Sequence, residues 1–300
     1  MKADTSSAGA REGSVPSIDE RAARRREAGL SAASPGGIVG VYDSGVGGLS
    51  VLRAVRDLAP AEPLAYVADT AYAPYGERTA REVVQRALAV ARYFVSRGAK
   101  AMVIACNTAT TAAVAEVRAR HPGLVVIGTE PAVKPAARLT RSGVIGVLAT
   151  TGTLASPRFA ELAQREAPEA RILLAPCPQW VLMVERGVVD GDAALEQVRA
   201  PVRGLLEQGA DVLVLGCTHF PFLTDAIRAC AGAEVPVLET GPAVARQLQR
   251  QLESRGLAAA PGGMGNCELV ASGDPVRLSE LARRLVGVDA SAASLPAPYR

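Results

Sequence analysis

From Gly37 onward the chain alternates short continuous apolar runs with longer stretches whose apolar residues recur three and four apart. "GIVGVYDS", "PLAYVAD", "AMVIAC" and "LVVIG" are runs of the first kind. Bounded by helical patterns, such runs read as strands buried on both faces, which is the habit of parallel sheets. "GGLSVLRAVRDL", "TAREVVQRALAVARYFVSRG" and "TATTAAVAEVRARH" are of the second kind and predict helices. The middle one stops at Gly98, placed as a C′ glycine. The alternation then restarts. "SGVIGVLAT", "RILLAPC", "DVLVLGC" and "VPVLE" predict strands, and "ASPRFAELAQREA", "ALEQVRAPVRGLLEQG", "PFLTDAIRACAG" and "GPAVARQLQRQLESRG" predict helices. Pro201 falls inside one of these helices, where a kink is expected. The pattern defines an α/β fold with two similar halves, each a mainly parallel sheet flanked by helices.

The two ends break the pattern. Residues 1–36 are polar and rich in Ser, Gly and Ala, too poor in apolar surface to repay ordering, and are expected to be a disordered extension. Within them "SIDERAARRREAGL" suits a short helix capped by Ser17, carrying a basic cluster of Arg21, Arg24, Arg25 and Arg26. The acidic residues interspersed there argue against an organelle transit peptide. Residues 258–290 suggest a loop, one short strand and a closing helix, and residues 291–300 read as a loose tail.

Composition narrows the function classes. The 300 residues are 49% hydrophobic and 21% charged, which is globular, and only 4% aromatic, so aliphatic side chains must fill the core. A net charge of +3 offers no basis for nucleic-acid or membrane binding. No apolar run is long enough to span a bilayer, and the polar N-terminus has no secretory h-region. The five cysteines form no disulfide framework and no CxxC metal pair, which suits reduced thiols in a cytoplasm, and no metal is expected.

Chemistry is then sought beyond the C-terminal ends of the strands, where open α/β sheets bind ligands. The first strand ends in Tyr42, Asp43 and Ser44 before the glycines of "GVGG". That loop is neither GxGxxG nor a P-loop; a tight turn explains its glycines, and a nucleotide site is disfavoured. The second strand ends in Asp69 and "TAYAPYG", the third in Cys106, Asn107 and Thr108, the fourth in Thr129 and Glu130. The "GVLAT" strand contributes Thr150, Thr151 and Thr153, and "DVLVLG" contributes Cys217, Thr218 and His219. A lone buried cysteine is usually a small apolar filler. Two cysteines at strand ends, each flanked by small polar residues and each expected to open a helix, are another matter, because a helix N-terminus favours the thiolate. His219 and Asp43 are placed to tune protonation. Disulfide exchange and two-base racemisation both need two thiols, although a redox pair is usually local in sequence. Cys177, Cys230 and Cys267 read as structural, and Trp180 as a wall near the cleft.

The motifs "VYDSGVGGLSVL", "ADTAYAPYGERT", "VIACNTATT", "EPAVKPA", "GVLAT" and "LGCTHFPFL", in this order, resemble the glutamate racemases of the aspartate/glutamate racemase superfamily over about residues 37–250. The resemblance implies two pseudosymmetric domains with the active site in the cleft between them: residues 37–130 plus 240–290, and residues 131–239. It implies cofactor-independent interconversion of L- and D-glutamate, supplying D-glutamate for peptidoglycan, in a cytoplasmic homodimer. Cys106 and Cys217 would be the two bases, acting on the D- and L-enantiomer, with Asp43 and His219 assisting. Substrate contacts would come from Asp43, Ser44, Pro74, Tyr75, Gly76, Cys106, Asn107, Thr108, Thr150, Thr153, Cys217, Thr218 and His219. Asp69 and Glu185 would be auxiliary acids, although Glu185 also reads as an ordinary exposed helical acid. Two features depart from the family pattern, Thr129 in place of an aliphatic residue and the long N-terminal extension. Racemisation of aspartate, and a binding or regulatory role on the same fold, are the rival readings.

Overall fold

The computed structural model describes residues 34–300; the expected N-terminal helix and its arginine cluster lie outside the described residues. In chain order come β1 (Val39–Asp43), α1 (Leu49–Leu58), β2 (Leu64–Ala68), α2 (Ala80–Ser96), β3 (Ala101–Ile104), α3 (Asn107–Arg120), β4 (Val125–Gly128) and α4 (Val133–Leu139). There follow β5 (Val144–Ala149), α5 (Thr151–Leu154), α6 (Pro157–Glu166), β6 (Arg171–Pro176), α7 (Pro178–Glu185) and α8 (Gly191–Glu207). The chain closes with β7 (Val212–Leu215), α9 (Thr224–Ala231), β8 (Val237–Leu238), α10 (Gly241–Ser254), β9 (Cys267–Ala271), α11 (Pro275–Val286) and β10 (Ala293–Ser294).

The strands assemble into two sheets, ordered β10-β9-β2-β1-β3-β4 and β6-β5-β7-β8, with every pairing parallel. The run β2-β1-β3-β4 and the run β6-β5-β7-β8 have the same topology, so β1 corresponds to β5 and β3 to β7. Register carries the correspondence to single residues: Val39 pairs with Ala101 and Ile145 with Val212, which makes Gly40 and Gly146 equivalent. Both glycines serve one purpose. A Cβ at Gly40 would enter the Phe94 ring of α2, and one at Gly146 would crowd Leu205 of α8. Each sheet therefore accepts its long helix at close range. In both halves the order reverses between the first and third strands, and such a switch point opens a crevice at the strand ends.

Local signals hold where the chemistry is local. Helix α2 begins with a capping box in which Thr79 Oγ1 accepts from Glu82 N at 3.3 Å and Glu82 Oε2 accepts from Thr79 N at 2.9 Å, worth about 1 kcal/mol. It ends before Gly98, whose φ is +72°. Helix α8 runs on through Pro201. At the base of the first sheet Lys100 is fully buried, paired with Glu62 at 2.6 Å and donating to the Pro35 carbonyl at 2.5 Å, which fixes the segment entering β1.

The end of the chain differs from its expected form. Residues 293–294 pair with β9, Leu295 is fully buried with its N–H on the Ala271 carbonyl at 2.7 Å, and Tyr299 packs edge-on against Tyr93. A low-complexity stretch is thus ordered by one anchoring leucine and one aromatic.

Candidate active site

The two switch points face a common cavity of about 260 Å³, near the small end of ligand pockets. It is lined by Ser44 after β1, by Pro74, Tyr75, Gly76 and Glu77 after β2, and by Cys106, Asn107 and Thr108 after β3. The second sheet contributes Thr150, Thr151, Gly152 and Thr153 after β5, Pro178, Gln179, Val181 and Leu182 after β6, and Gly216, Cys217, Thr218 and His219 after β7. Cys106 lies two positions past the end of β3 and Cys217 two positions past the end of β7, so the thiols are pseudosymmetric partners. Four hydrogen bonds tie the halves beneath the cavity. Thr218 Oγ1 donates to Asp43 Oδ2 (3.0 Å), Ser50 Oγ to the Thr218 carbonyl (2.8 Å), Asn107 Nδ2 to the Gly216 carbonyl (3.0 Å) and Val46 N to Glu185 Oε1 (2.8 Å).

The surroundings of the two thiols differ. Cys106 is the N-cap of α3; its sulfur accepts from Ala109 N at 3.5 Å and lies 3.6 Å from Ser44 Oγ. Burial pushes this thiol up to about 12, the Asp43 charge adds to the effect, and the Ala109 N–H and Ser44 offset only part of it. Desolvation by burial thus works against the preference of a helix N-terminus for the thiolate. Cys217 does not open an α-helix at all. The Cys217–His219 turn leads into a 3₁₀ turn over Phe220–Leu223, and α9 starts only afterwards. Instead, Cys217 Sγ lies 3.7 Å from His219 Nδ1, and His219 Nε2 is 2.7 Å from Glu185 Oε1. Burial alone would push His219 down, but the bonds to Cys217 and Glu185 hold it well above the ordinary imidazole value. Glu185 is correspondingly lowered: burial would raise it, and the bond and charge of His219, with the Val46 N–H, prevail.

The glycine-rich loop has its explanation here. A Cβ at Gly45 would collide with the Glu185 carboxylate, one at Gly47 with the His219 ring and one at Gly48 with Asp43. Gly45 and Gly47 admit the acid–imidazole pair of the other half and Gly48 admits Asp43; their role is close approach of backbone to side chain.

Asp43, Asp69 and Glu185 stand behind the cavity wall. Asp43 is fully buried, accepts from Gly45 N (2.9 Å) and Thr218, and is raised by burial, with His219 as the chief counterweight. Asp69 is occupied by Arg86 and Tyr75. Trp180 is no cavity wall: its ring packs edge-on against Phe220 at 4.8 Å and its Nε1 donates to the Gln197 carbonyl. The α7 residues that line the cavity follow β6 after the single residue Cys177, and the prolines on either side of that cysteine carry no chemistry that would mark this strand end in the sequence. Thr129 is buried, its hydroxyl on the Ile104 carbonyl at 2.8 Å, where it satisfies the end of β3 beside Cys106. Among the described residues no group of three or more His, Cys, Asp or Glu is arranged to hold a metal ion.

Fold and site together define a two-sheet α/β protein with a thiol from each half on one small cavity. The Asp/Glu/Hydantoin racemase family profile matches residues 48–248. A glutamate racemase of Ectopseudomonas mendocina is 48% identical over 252 residues, covering 84% of this chain and 95% of that protein. The Escherichia coli glutamate racemase, solved with L-glutamate and the activator UDP-MurNAc-ala, has a TM-score of 0.76 at 32% identity, covering 86% of this chain and 98% of that one. The Thermus thermophilus glutamate racemase, solved with β-chloro-D-alanine, has a TM-score of 0.73 at 35% identity, covering 89% of this chain and 100% of that one. The chain belongs to the Asp/Glu/hydantoin racemase family.

Proposed function

We propose that this protein is an isomerase that interconverts L- and D-glutamate, with Cys106 and Cys217 as its two bases. The observation that carries the reading is the pseudosymmetric placement of the two thiols, each two positions past an equivalent strand and both on one cavity. Racemisation requires a base on one face of Cα and an acid on the other. In the D-to-L direction the Cys106 thiolate takes the Cα proton, and the electron pair is left on carbon. The Cys217 thiol then delivers its proton to the opposite face, and His219, held charged by Glu185, resupplies it. The reverse direction exchanges the roles.

Hydroxyls and amide groups of Ser44, Asn107, Thr108, Thr150, Thr153 and Thr218 surround the cavity as donors for two carboxylates, stabilising a carbanion-like transition state without reorganisation. Asn107 supports a further contact. Its Oδ1 is buried with no protein partner among the described residues, a costly arrangement that a substrate ammonium would relieve. The loop carrying Pro74, Tyr75 and Gly76 would read the side-chain carboxylate. By family resemblance the product feeds peptidoglycan synthesis, and the protein is a cytoplasmic homodimer; no helix among the described residues is long and apolar enough to cross a membrane.

Circular dichroism of the purified protein with each enantiomer tests the reading. Both L- and D-glutamate should decay to the racemate, while aspartate should not. An unchanged signal from both glutamate enantiomers overturns the proposal, and faster decay of aspartate reassigns the substrate.

A further inference from the structure

The cavity wall after β2 belongs to the stretch from Thr70 to Arg78, which holds two short 3₁₀ turns and lines the cavity with Pro74, Tyr75, Gly76 and Glu77. Its tip approaches the other half, where a Cβ added at Gly152 would lie 3.7 Å from the Gly76 carbonyl. Within it only Tyr75 is buried, and the Tyr75 hydroxyl is held by two protein groups. It donates to Asp69 Oδ2 at 2.5 Å and also bonds the Tyr42 hydroxyl. Asp69 in turn takes a two-pronged grip from Arg86 on α2, Nε to Oδ2 at 2.8 Å and Nη2 to Oδ1 at 2.9 Å. The same guanidinium lies over the Tyr72 ring at 4.0 Å and donates to the Tyr299 carbonyl at 3.0 Å.

We infer that Arg86, with the C-terminal segment around Tyr299, is a positioning device that holds the substrate-reading loop in its binding shape. One planar cation touches the loop at two points, Tyr72 directly and Tyr75 through Asp69. Its remaining contact is the Ala297–Tyr299 turn, which Leu295 fixes to β9 and the Tyr93–Tyr299 contact fixes to α2. Both carboxylate oxygens of Asp69 are engaged, so its work is to hold Tyr75, and proton transfer falls to other groups. A lysine cannot reproduce the grip, since a point charge cannot span two carboxylate oxygens, a ring face and a carbonyl together. Arg86 does not line the cavity and would act on binding through the loop.

This inference rests on the loop being part of a glutamate site. The test compares wild type, R86K and Y299A as full-length proteins, by steady-state racemisation in both directions and by amide hydrogen exchange without substrate. R86K should raise KM about tenfold for both enantiomers with kcat within about threefold, and Y299A, which loosens the C-terminal anchor, should raise KM about threefold. Exchange over residues 70–78 should quicken about tenfold in R86K while residues 101–110 stay unchanged. A KM within twofold of wild type in both variants overturns the inference, as does a fall in kcat alone, the mark of a merely structural role, or unchanged exchange over residues 70–78. A wild type inactive on glutamate instead removes the functional reading, and the exchange comparison still decides whether Arg86 holds the loop.

Discussion

The turn after β3 and the turn after β7 occupy equivalent places in the two sheets, yet they support their thiols in different ways. Cys106 is surrounded by neutral donors, Ala109 N–H and Ser44, with the Asp43 charge nearby. Cys217 has an imidazole held charged by a carboxylate. Geometry is duplicated and protonation is not. The two enantiomers have equal free energy, so kcat/KM must be equal in both directions whatever the wiring. Asymmetry can appear only in kcat and KM separately, in pH profiles and in the state of the resting thiols. It also answers a practical need, because each turnover must begin with one thiolate and one thiol. Burial pushes the Cys106 thiol up to about 12, which favours the protonated form. The leading influences on it are burial, the Asp43 charge, the Ala109 N–H and Ser44, whereas Cys217 has the His219 imidazole beside it.

The largest effect expected is loss of either base. C106A and C217A should each lower racemisation by more than about a thousandfold in both directions, within the range for a positioned acid or base. Circular dichroism measures it, and full activity in either variant would break the equivalence of the two thiols. The resting state has its own check. Alkylation of Cys106 by a neutral reagent, followed by peptide mass spectrometry without substrate, should be slow at neutral pH. It should keep rising as pH climbs toward about 12. A plateau near neutrality would show that Cys106 is already a thiolate.

The glycine loop offers the next test. G47A places a methyl group where the His219 ring now lies, and should cost about a hundredfold in kcat, the scale of an ångström of misplacement. Far-ultraviolet circular dichroism should be unchanged. A variant with wild-type kcat would mean the ring has room to move without consequence.

E185Q keeps the shape and removes the charge, and should lower kcat about ten- to a hundredfold, the scale of a hydrogen bond to a charged group. Its pH signature has a definite sign. With Glu185 neutralised, burial of His219 is less opposed, its protonated form is lost at lower pH, and the alkaline limb of kcat should move to lower pH. Stability follows the same linkage. The raised His219 contributes below the unfolded imidazole value near 6.5, and that contribution is lost as pH rises through the folded value. The lowered Glu185 contributes above its unfolded value near 4.3, and that is lost as pH falls through the folded one. Melting curves of wild type and E185Q should therefore differ most in between and converge at both extremes.

How much of this was legible in the sequence follows the same division. Strand-end chemistry is local, so Cys106, Cys217 and most of the cavity wall could be read from where apolar runs stop. Wiring is not local. Glu185 is 34 residues from His219 and 139 from Val46, and nothing in "CPQWVLMVERG" distinguishes it from an exposed helical acid. The glycines of "GVGG" signal a tight turn equally well whether they face a phosphate or an imidazole. The order of the tail is not legible in its own residues, because its anchoring depends on Tyr93 and Ala271, which no pattern within residues 291–300 reveals.

The smallest predicted effect tests whether the Cys106 side lacks a relay. Ser44 Oγ lies 3.6 Å from the Cys106 sulfur and 3.5 Å from Asp43 Oδ1, the only side-chain route from this thiol toward a buried acid among the described residues. Both contacts are long, and a neutral hydrogen bond contributes about 0.5–1.5 kcal/mol. S44A should thus lower kcat about three- to tenfold with no movement of the alkaline limb, because no group tuned like His219 is lost with it. A solvent-exchange assay of the Cα proton of D-glutamate in heavy water reads the same step directly and should fall by the same factor. A loss as large as that of E185Q, or a shifted pH limb, would show that Ser44 and Asp43 form a second relay, and the two sides would then be alike in wiring as well as in geometry.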